Sequence, residues 1–468
     1  MKKLLGEKLI KEDLISEEQL QKGLVRQRLH GGRIGYNLSV LGFIDQKHLS
    51  QHFRSHPPVP ETIEETGLNR SFLEDLVLRH GSSLGHFRLA ELMEHIKLPL
   101  KVVDELIESL RKKHLLEVQG AREYNKGAWV FTLTDKGRSR SADLFKISRY
   151  VGPAPVPLDQ YNRLVEAQTI ESIHVDESKV NQAFSPMIVT DRFLDRIGPA
   201  ISSGRAIFLY GPPGNGKTAI AETVGQVLPG TVYIPHAVYV GGEVVSLFDP
   251  VTHEKAEPEK SGDQVDGRWI LCRRPVIMVG GEFTLKMLDL DFNPIAKFYE
   301  ASLQMKANNG LFIVDDFGRQ QIDPQNMLNR WIVPLERRTD FLSLHTGMKF
   351  EIPFDQMVIF ATNLEPKELV SEAFLRRIRY KIKIGYPTRN EYEKIFRQVC
   401  EANGMTFSSE VFTFLVEELY NRHEVQLSAC HPRDLIDQVL DDAHYHNKPP
   451  ELTCEALTRA WGSYFVEM

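Results

Sequence analysis

Cysteine is scarce in this sequence. Only four cysteines occur in 468 residues, at Cys272, Cys400, Cys430 and Cys454. They are scattered, without a CxxC pair or histidines at ligand spacing, so the pattern indicates neither a zinc site nor a disulfide framework. We expect buried or incidental thiols.

Long apolar runs and a strong excess of one charge are also lacking. No run approaches the roughly 20 residues that a membrane-spanning helix needs. Charges interrupt the apolar residues of the N-terminal MKKLLGEKLIKEDL, which is atypical of a secretory signal. The net charge of −6 gives no general attraction to nucleic acid or anionic membrane, so any basic site must be local. We expect a cytoplasmic protein without a membrane span.

The length requires several domains, because single domains usually contain about 100–200 residues. Two proline-rich breaks, HPPVP at 56–60 and GPAPVP at 152–157, favour stiff, extended spacers. They predict a small domain at 1–56, a middle domain at 61–150, a linker at 151–180 and a large C-terminal part.

The first part contains an internal repeat. LLGEKLIKEDLISEEQLQKGLVRQ at 4–27 aligns with RIGYNLSVLGFIDQKHLSQHFRSH at 33–56, pairing Leu9 with Leu38 and Ile15 with Ile44. Each copy has the pattern of two short helices. The repeat resembles the N-terminal domain of type II secretion and type IV pilus assembly ATPases, in which a doubled motif can bind cyclic-di-GMP. Arg33 matches the motif's arginine, whereas Leu4 replaces it in the first copy; structural or protein-docking use and cyclic-di-GMP binding both stay open.

The middle part has the pattern of a winged helix. FRLAELMEHI at 87–96 and LKVVDELIESLRKKHLLEV at 100–118 predict two helices, the second leading into a strand, and AWVFTLTDKGR at 128–138 predicts a returning wing strand. Such domains often lay the second helix in the major groove of DNA. Asp104 and Glu105 lie in its leading half, where phosphates would repel them. The pattern favours a protein contact or a spacer, with DNA binding as the alternative.

The C-terminal part contains the clearest motif. The apolar strand RAIFLY at 205–210 precedes GPPGNGKT, and a helical run follows. This is GxxxxGK[ST] in its strand–loop–helix context, in which backbone N–H groups and the helix N-terminus surround phosphates. The lysine would contact the β- and γ-phosphates and the threonine hydroxyl would bind Mg²⁺. The predicted binding residues are Gly211, Pro212, Pro213, Gly214, Asn215, Gly216, Lys217 and Thr218.

An acidic strand follows further along the chain. LFIV at 311–314 is a continuous apolar run, typical of a parallel strand buried on both faces. Asp315 at its end is the predicted second Mg²⁺ ligand, and Asp316 is the predicted catalytic base beside the attacking water. The segments TVYIPHAVYV and GRWILCRRPVIMVGG make the distance from Lys217 long for a P-loop domain. They predict an inserted β-hairpin at about 237–280.

Three later features complete the series. MVIFATN at 357–363 is a third buried strand that ends in a polar side chain, Asn363, able to orient water or sense the γ-phosphate. EAFLRRIRYKIKI brings Arg376 and Arg377 before another strand. ACHPRDLIDQVL begins a helix with Arg433 in its first turn.

In this order the motifs resemble the AAA+ ATPases over roughly residues 180 to 468. The resemblance implies an α/β P-loop NTPase domain at 181–385, with a parallel sheet flanked by helices, and a C-terminal helical lid at 386–468. It implies ATP and Mg²⁺ as cofactors, Asn363 as sensor 1, Arg433 as sensor 2, and Arg376 or Arg377 as an arginine finger that reaches a neighbouring subunit. A homo-oligomeric ring, expected to be a hexamer, is therefore implied. The family's usual glutamate is replaced by Asp316.

Three functions follow from these patterns. The leading one is an ATP-hydrolysing enzyme that remodels a macromolecular target, with its N-terminal modules suggesting pilus or secretion machinery by analogy. The second is a nucleotide-operated switch with little turnover, and the third is a loader acting at DNA. Polypeptide threading would need an aromatic pore loop, but Phe283 and Phe292, the nearest candidates, have the pattern of core residues. Because Asp316 is one methylene shorter than glutamate, we expect slow hydrolysis.

Overall fold

The computed structural model describes residues 9–10, 14–30, 34–44, 56–119, 129–173, 175–257, 265–369 and 372–465. It contains two compact units. The first comprises Met1–Val59 with Asp263–Asp266, and the second comprises Pro60–Gly262 with Gly267–Met468. No helix in the described part is long and apolar enough to cross a membrane.

The described strands are short, as expected for a chain with many turns. In chain order they are β1 (His86–Arg88), β2 (Leu116–Gln119), β3 (Val130–Leu133), β4 (Val156–Pro157), β5 (Ile207–Tyr210), β6 (Thr231–Pro235), β7 (Ala237–Val240), β8 (Glu243–Ser246), β9 (Trp269–Arg273), β10 (Val276–Val279), β11 (Asp291–Asn293), β12 (Phe298–Glu300), β13 (Leu311–Val314), β14 (Thr339–Ser343), β15 (Lys349–Pro353), β16 (Met357–Thr362) and β17 (Tyr380–Lys383).

The described α-helices are distributed along the whole chain. They are α1 (Glu17–His30), α2 (Ile34–Val40), α3 (Arg70–Leu84), α4 (Leu89–Ile96), α5 (Leu100–Lys112), α6 (Asp135–Ile147), α7 (Leu158–Ala167), α8 (Glu177–Phe184), α9 (Asp191–Ser202), α10 (Lys217–Val227), α11 (Leu303–Lys306), α12 (Pro324–Arg337), α13 (Pro366–Leu369), α14 (Glu372–Leu375), α15 (Arg389–Ala402), α16 (Ser409–Phe414), α17 (His431–Tyr445) and α18 (Cys454–Tyr464).

In the first unit, residues at equivalent repeat positions are buried in the same way. Leu9 and Leu38 are both fully buried, and Ile15 and Ile44 are both buried in the same small core as Leu20. The burial agrees with the internal repeat. Arg33, on which the cyclic-di-GMP hypothesis depends, lies outside the described residues.

In the second unit, the described residues between 64 and 150 form helices around a three-stranded antiparallel sheet of order β1-β3-β2. The strand β1 occupies the start of the stretch expected to be a helix, and α6 begins at Asp135 inside the stretch expected to be a wing strand. Thr134 caps α6 by accepting a hydrogen bond from the Gly137 N–H, which ends the strand there. The winged-helix interpretation stays a prediction.

A five-stranded parallel sheet of order β10-β13-β16-β5-β17 forms the centre of the C-terminal part. One face packs on a core with Ile220 and Val224 of α10, and the other on a core with Trp331 of α12. The α/β fold with a flanked parallel sheet is therefore observed. Because all strands are parallel, their carboxyl ends meet at one edge of the sheet.

The inserted β-hairpin predicted at about 237–280 is wrong in extent. Val276–Val279 is β10, an edge strand of the central sheet. The remaining strands form an accessory sheet of order β11-β12-β8-β7-β4, with two further antiparallel pairs, β6–β9 and β14–β15. Arg274 and Pro275 separate β9 from β10, since proline cannot continue a ladder.

The linker predicted at 151–180 is also corrected by the structure. It contributes β4 to the accessory sheet and contains helix α7. Tyr161, Leu164 and Val165 are buried at helical spacing on one face of α7. The segment is therefore packed structure and not a spacer.

Candidate functional site

The GPPGNGKT loop connects β5 to α10 at the carboxyl edge of the central sheet. Gly211 has a φ of 141°, and a Cβ there would lie 1.9 Å from the Ile384 carbonyl oxygen. Gly216, with a φ of 78°, is the N-cap of α10. Glycine is required at Gly211 because no side chain fits between the two backbones.

Lys217 is buried at the start of α10. Its Nζ donates hydrogen bonds to the carbonyl oxygens of Gly211 at 3.0 Å and Pro212 at 2.9 Å. Burial lowers the pKa of Lys217, and the nearby Asp316 and Asp315 carboxylates act in the opposite direction. The ammonium is thus held inside the loop, next to two carboxylates.

Thr218 and Asp315, the two predicted Mg²⁺ ligands, are hydrogen-bonded to each other. The Thr218 Oγ1 donates to Asp315 Oδ2 at 2.8 Å. A hydroxyl and a carboxylate are oxygen ligands of the type that Mg²⁺ prefers, and Mg²⁺ commonly adds phosphates and water to only one or two protein ligands. Among the described residues no cluster of three or more acidic, histidine or cysteine side chains could hold a metal alone. The pair fits Mg²⁺ bound together with a phosphate compound.

Asp316 starts a tight loop after β13. Its φ is 47°, a left-handed conformation that aspartate tolerates better than most residues. The Gln320 Nε2 donates to the carbonyl oxygens of Asp315 at 2.9 Å and Asp316 at 3.3 Å, while Gln320 Oε1 accepts from the Gly318 N–H at 2.8 Å. Gln320 thereby holds both acidic residues through their backbone.

The same loop is attached to β16. The Phe317 N–H donates to the Ala361 carbonyl at 2.7 Å, and the Thr362 Oγ1 donates to the Phe317 carbonyl, also at 2.7 Å. Asn363 follows directly and is half-buried. The two strand ends that carry the acids and the amide are therefore fixed to one another.

These elements line a cleft of about 800 Å³. It contains Pro213 to Thr218 of the loop, both acids, Asn363 and, from the lid, Arg433. Apolar residues 186–189 and 384–387 line it as well. The size suits a drug-sized ligand such as a nucleotide.

Arg376 and Arg377 are absent from the lining of this cleft, in the part of the chain that the structure describes. Arg377 Nε forms an ion pair with Glu336 Oε1 of α12 at 2.5 Å. Arg376 follows α14 and is exposed. The structure brings neither arginine to the cleft of its own chain.

The two pore-loop candidates do not face solvent as gripping side chains would. Phe283 is fully buried and packs on Phe312 and Trp331. Phe292 is half-buried and lies against Tyr299 and His345. Both are packing residues, as the sequence indicates.

One part of the site was missed by sequence reasoning. Ser428, Ala429 and Cys430, which precede α17 in the lid, hydrogen-bond to the loop residues Pro213, Gly214 and Asn215. Nothing in the pattern of LSACHPR predicts such contacts. They make the segment before α17 a direct neighbour of the GPPGNGKT loop.

Comparisons with known proteins give two findings and one absence. A domain of unknown function, DUF8689, matches residues 388–463. No curated protein sequence matches the chain. The family match covers most of the segment predicted to be a helical lid, and its description names no activity.

Comparison with solved structures found matches of low similarity. The RuvB Holliday junction branch migration motor of Thermotoga maritima is 11% identical, covering 63% of this chain and 71% of RuvB at a TM-score of 0.34. NtrX of Brucella abortus is 11% identical, and the match covers 61% of this chain and 57% of NtrX at a TM-score of 0.37. Domain III of the Thermotoga maritima replication initiation protein DnaA is 13% identical. The match covers 61% of this chain and 98% of the DnaA domain, at a TM-score of 0.34. At these values the similarities assign no function.

Proposed function

We propose that this protein is an Mg²⁺-dependent AAA+ ATPase that hydrolyses ATP slowly and remodels or assembles a macromolecular target. The contact between Thr218 Oγ1 and Asp315 Oδ2, beside the buried Lys217, carries the proposal. A lysine, a hydroxyl and a carboxylate at the end of two parallel strands are what phosphate and Mg²⁺ binding require. A glycine-rich turn without a ligand would have no use for a buried ammonium.

In the proposed reaction, water attacks the γ-phosphorus of ATP, and the bond to the β–γ bridging oxygen breaks to release ADP and phosphate. Asp316 accepts the proton of the water, and Asn363 orients that water. Lys217 and Arg433 bind phosphate oxygens. Thr218 and Asp315 would hold Mg²⁺, which would supply positive charge to neutralise the phosphates.

The arginine finger would act between subunits. Arg376 is the better candidate, because Arg377 is already paired with Glu336 on its own chain. A cation supplied to the γ-phosphate can accelerate its transfer by about 10³ to 10⁵. Self-association, in a ring such as a hexamer, would therefore be needed for full activity.

A steady-state ATPase assay tests this function. We expect Mg²⁺-dependent turnover that rises per protomer with protein concentration. Lys217→Ala should lose ATP binding, and Asp316→Asn should bind ATP while turnover falls at least about 100-fold, the usual contribution of a general base. Arg376→Ala should lower turnover far more than Arg377→Ala.

The assay can also contradict the proposal. Tight ATP binding with no turnover at any protein concentration would favour the nucleotide-operated switch, for which the aspartate at Asp316 is the supporting observation. Absence of ATP binding to the folded protein would exclude both. EDTA should abolish turnover and leave the fold intact, because no described structural element depends on a metal cluster.

For the target, the middle region favours a protein contact over DNA. The turn before α5 lies close to Gly267 of the same chain. A Cβ placed on Gly267 would be 3.2 Å from the Lys97 carbonyl oxygen. Three of the cations on or near α5 are in ion pairs: Lys101 with Glu61, Arg111 with Glu108 and Lys113 with Glu74. Undetectable binding to duplex DNA at low salt is the expected result, since phosphate contacts are strongest there. Pilus or secretion machinery and cyclic-di-GMP remain proposals that rest on the N-terminal repeat.

A further inference from the structure

The lid touches the phosphate-binding loop through one short segment, Ser428–Cys430, which we call the lid strap. The Ala429 N–H donates to Asn215 Oδ1 at 3.1 Å, and the Cys430 N–H donates to the Gly214 carbonyl at 2.8 Å. The Ser428 hydroxyl lies 3.4 Å from both Asn215 Oδ1 and the Pro213 carbonyl oxygen. The strap therefore contacts three successive residues of the loop.

The approach is close enough to exclude a side chain at Gly214. A Cβ there would lie 2.6 Å from both Cys430 Sγ and Ser428 Oγ. Gly214 also has a φ of 75°, which glycine adopts at little cost. The absence of a side chain at Gly214 therefore allows both the conformation of the loop and the close approach of the strap.

Asn215 is the residue that joins the two sides. Its side chain is only 6% exposed. Its Nδ2 donates to the Pro213 carbonyl at 3.1 Å, inside the loop, while its Oδ1 accepts from the strap. An amide supplies a donor and an acceptor on one rigid group, so its position follows the loop and fixes the strap at the same time.

The strap leads directly into α17, which carries Arg433 into the cleft. Lid residues Ile395, Val399 and Cys430 form part of the same cleft wall. A lid held to the loop by Asn215 closes this wall and sets the place of Arg433. A lid released from it would leave the cleft open on that side.

We propose that Asn215 is a positioning residue which fixes the lid, and with it Arg433, to the phosphate-binding loop, so that nucleotide release requires the Asn215–strap contact to break. The inference rests on the proposed function in that it takes the ligand to be a nucleotide. It adds a role for the side chain at the variable position of GPPGxGKT, where the motif itself requires only backbone.

The first experiment uses Cys430 as a reporter on the nucleotide-free protein. All four cysteines lie in the described part of the chain; Cys272 and Cys400 are buried, whereas Cys430 and Cys454 are partly exposed. In a Cys454→Ser background, Cys430 is the thiol expected to react with a maleimide. Asn215→Ala should raise the reaction rate about tenfold, as the loss of one or two hydrogen bonds would.

The second experiment measures release of a fluorescent ADP analogue by stopped flow. Asn215→Ala should raise the dissociation rate constant about tenfold and lower turnover, because Arg433 is no longer held in place. Ser428→Ala, which changes only the strap, should act in the same direction with a smaller effect. Asn403→Ala is the matched control: this lid asparagine donates to the Val399 carbonyl at 3.0 Å and should change neither rate.

A double-mutant cycle separates a shared contact from two unrelated losses. Asn215→Ala and Ser428→Ala should be clearly less than additive in both rates, since they remove the same contact. If Asn215→Ala proves unfolded by circular dichroism, Ser428→Ala alone decides, with unchanged rates counting against the inference. Cys430 reactivity and ADP release equal to those of Asn403→Ala would overturn it. Failure of the wild type to bind nucleotide would refute the proposed function, while the thiol measurement would still decide whether Asn215 fixes the lid.

Discussion

Asp316 combines a short acidic side chain with a left-handed backbone. Its φ of 47° turns the chain away from the direction of β13 immediately after Asp315. Asparagine and aspartate tolerate this conformation because their side chains can hydrogen-bond locally, whereas longer side chains gain nothing from it. A glutamate, one methylene longer, would reach further by about 1.5 Å, the length of one C–C bond.

We predict that Asp316→Glu raises the turnover number for ATP by about tenfold, since a closer general base lowers the barrier. The folded state should lose about 1 kcal/mol, the cost of a left-handed residue without local compensation. Steady-state kinetics and urea unfolding check the two effects. Asp316→Asn, which suits the same backbone, is the control. Slower turnover than the wild type with unchanged ATP affinity would mean that the turn already brings the aspartate to the water.

At the scale of elements, hydrogen bonds join the loop after β13 to the end of β16. Phe317 is bonded to β16 through both its N–H and its carbonyl, the latter by the fully buried Thr362 hydroxyl. The same hydroxyl accepts from the Leu364 N–H at 3.2 Å. The acids and Asn363 are thereby held in a fixed relation that neither strand could set alone.

Thr362→Val should break this connection while it conserves the volume of the side chain. Loss of the hydroxyl leaves the Phe317 carbonyl without that buried donor, which costs about 1–3 kcal/mol. The turnover number should fall while KM for ATP stays nearly constant, because the phosphate-binding loop is untouched. Thr362→Ser keeps the hydroxyl and should retain most of the activity. Equal turnover in Thr362→Val and the wild type would show that the connection is structural only.

The strands of the central sheet were predictable from the sequence where an apolar run ends in a chemically distinctive residue. Tyr210 before GPPGNGKT, Val314 before the acids and Thr362 before Asn363 are such cases. The strand β10 was assigned to the inserted hairpin and not to the central sheet because no motif marks it, although Pro275 separates it from β9. Strands of the accessory sheet pair across long sequence distances, such as Val156 with Val238, and a local pattern cannot specify a distant partner.

The candidate site likewise contains residues that were predictable from the sequence and contacts that were not. Residues of a contiguous motif, such as Lys217 and Thr218, were predictable because the chemistry of phosphate binding fixes their spacing. Thr218 and Asp315 were predicted separately as Mg²⁺ ligands, and the hydrogen bond between them was not predicted. The contacts of Gln320 and of the lid strap were not predictable, because hydrogen bonds to backbone carbonyls need only a suitable distance and leave no trace in residue type.

In the second compact unit as a whole, the accessory sheet connects the middle region to the C-terminal part. Alternate residues of β7 face opposite sides: Ala237 and Tyr239 contribute to the core of the middle region, while Val238 and Val240 contribute to the core beneath the sheet. Tyr239 packs on Phe72 of α3 with ring centroids 4.3 Å apart. One sheet therefore belongs to two cores, as the period of two along a strand allows.

Arg268 forms hydrogen bonds across the junction between the middle region and the accessory sheet. It is 2% exposed, and its NH1 donates to the carbonyl oxygens of Thr66 at 2.9 Å and Pro155 at 3.3 Å. Its NH2 lies 3.5 Å from Gln160 Oε1. The guanidinium thus joins the middle region, the segment before β4 and helix α7, and its fixed fork suits several acceptors at once.

We predict that Arg268→Met loosens the middle region without changing the nucleotide site. The substitution fills much of the space but leaves buried carbonyls unpaired, at a cost of about 1–3 kcal/mol each. Residues 61–150 should then exchange amide hydrogens faster, while ATP affinity and basal turnover stay at the wild-type level. Arg268→Lys should give an intermediate result, because one ammonium cannot reproduce the fork. Uniform destabilisation, with equal protection loss in the central sheet, would contradict a junction between two cores and indicate a single cooperative unit. A local effect would instead show that the middle region has a core of its own, which Arg268 joins to the accessory sheet.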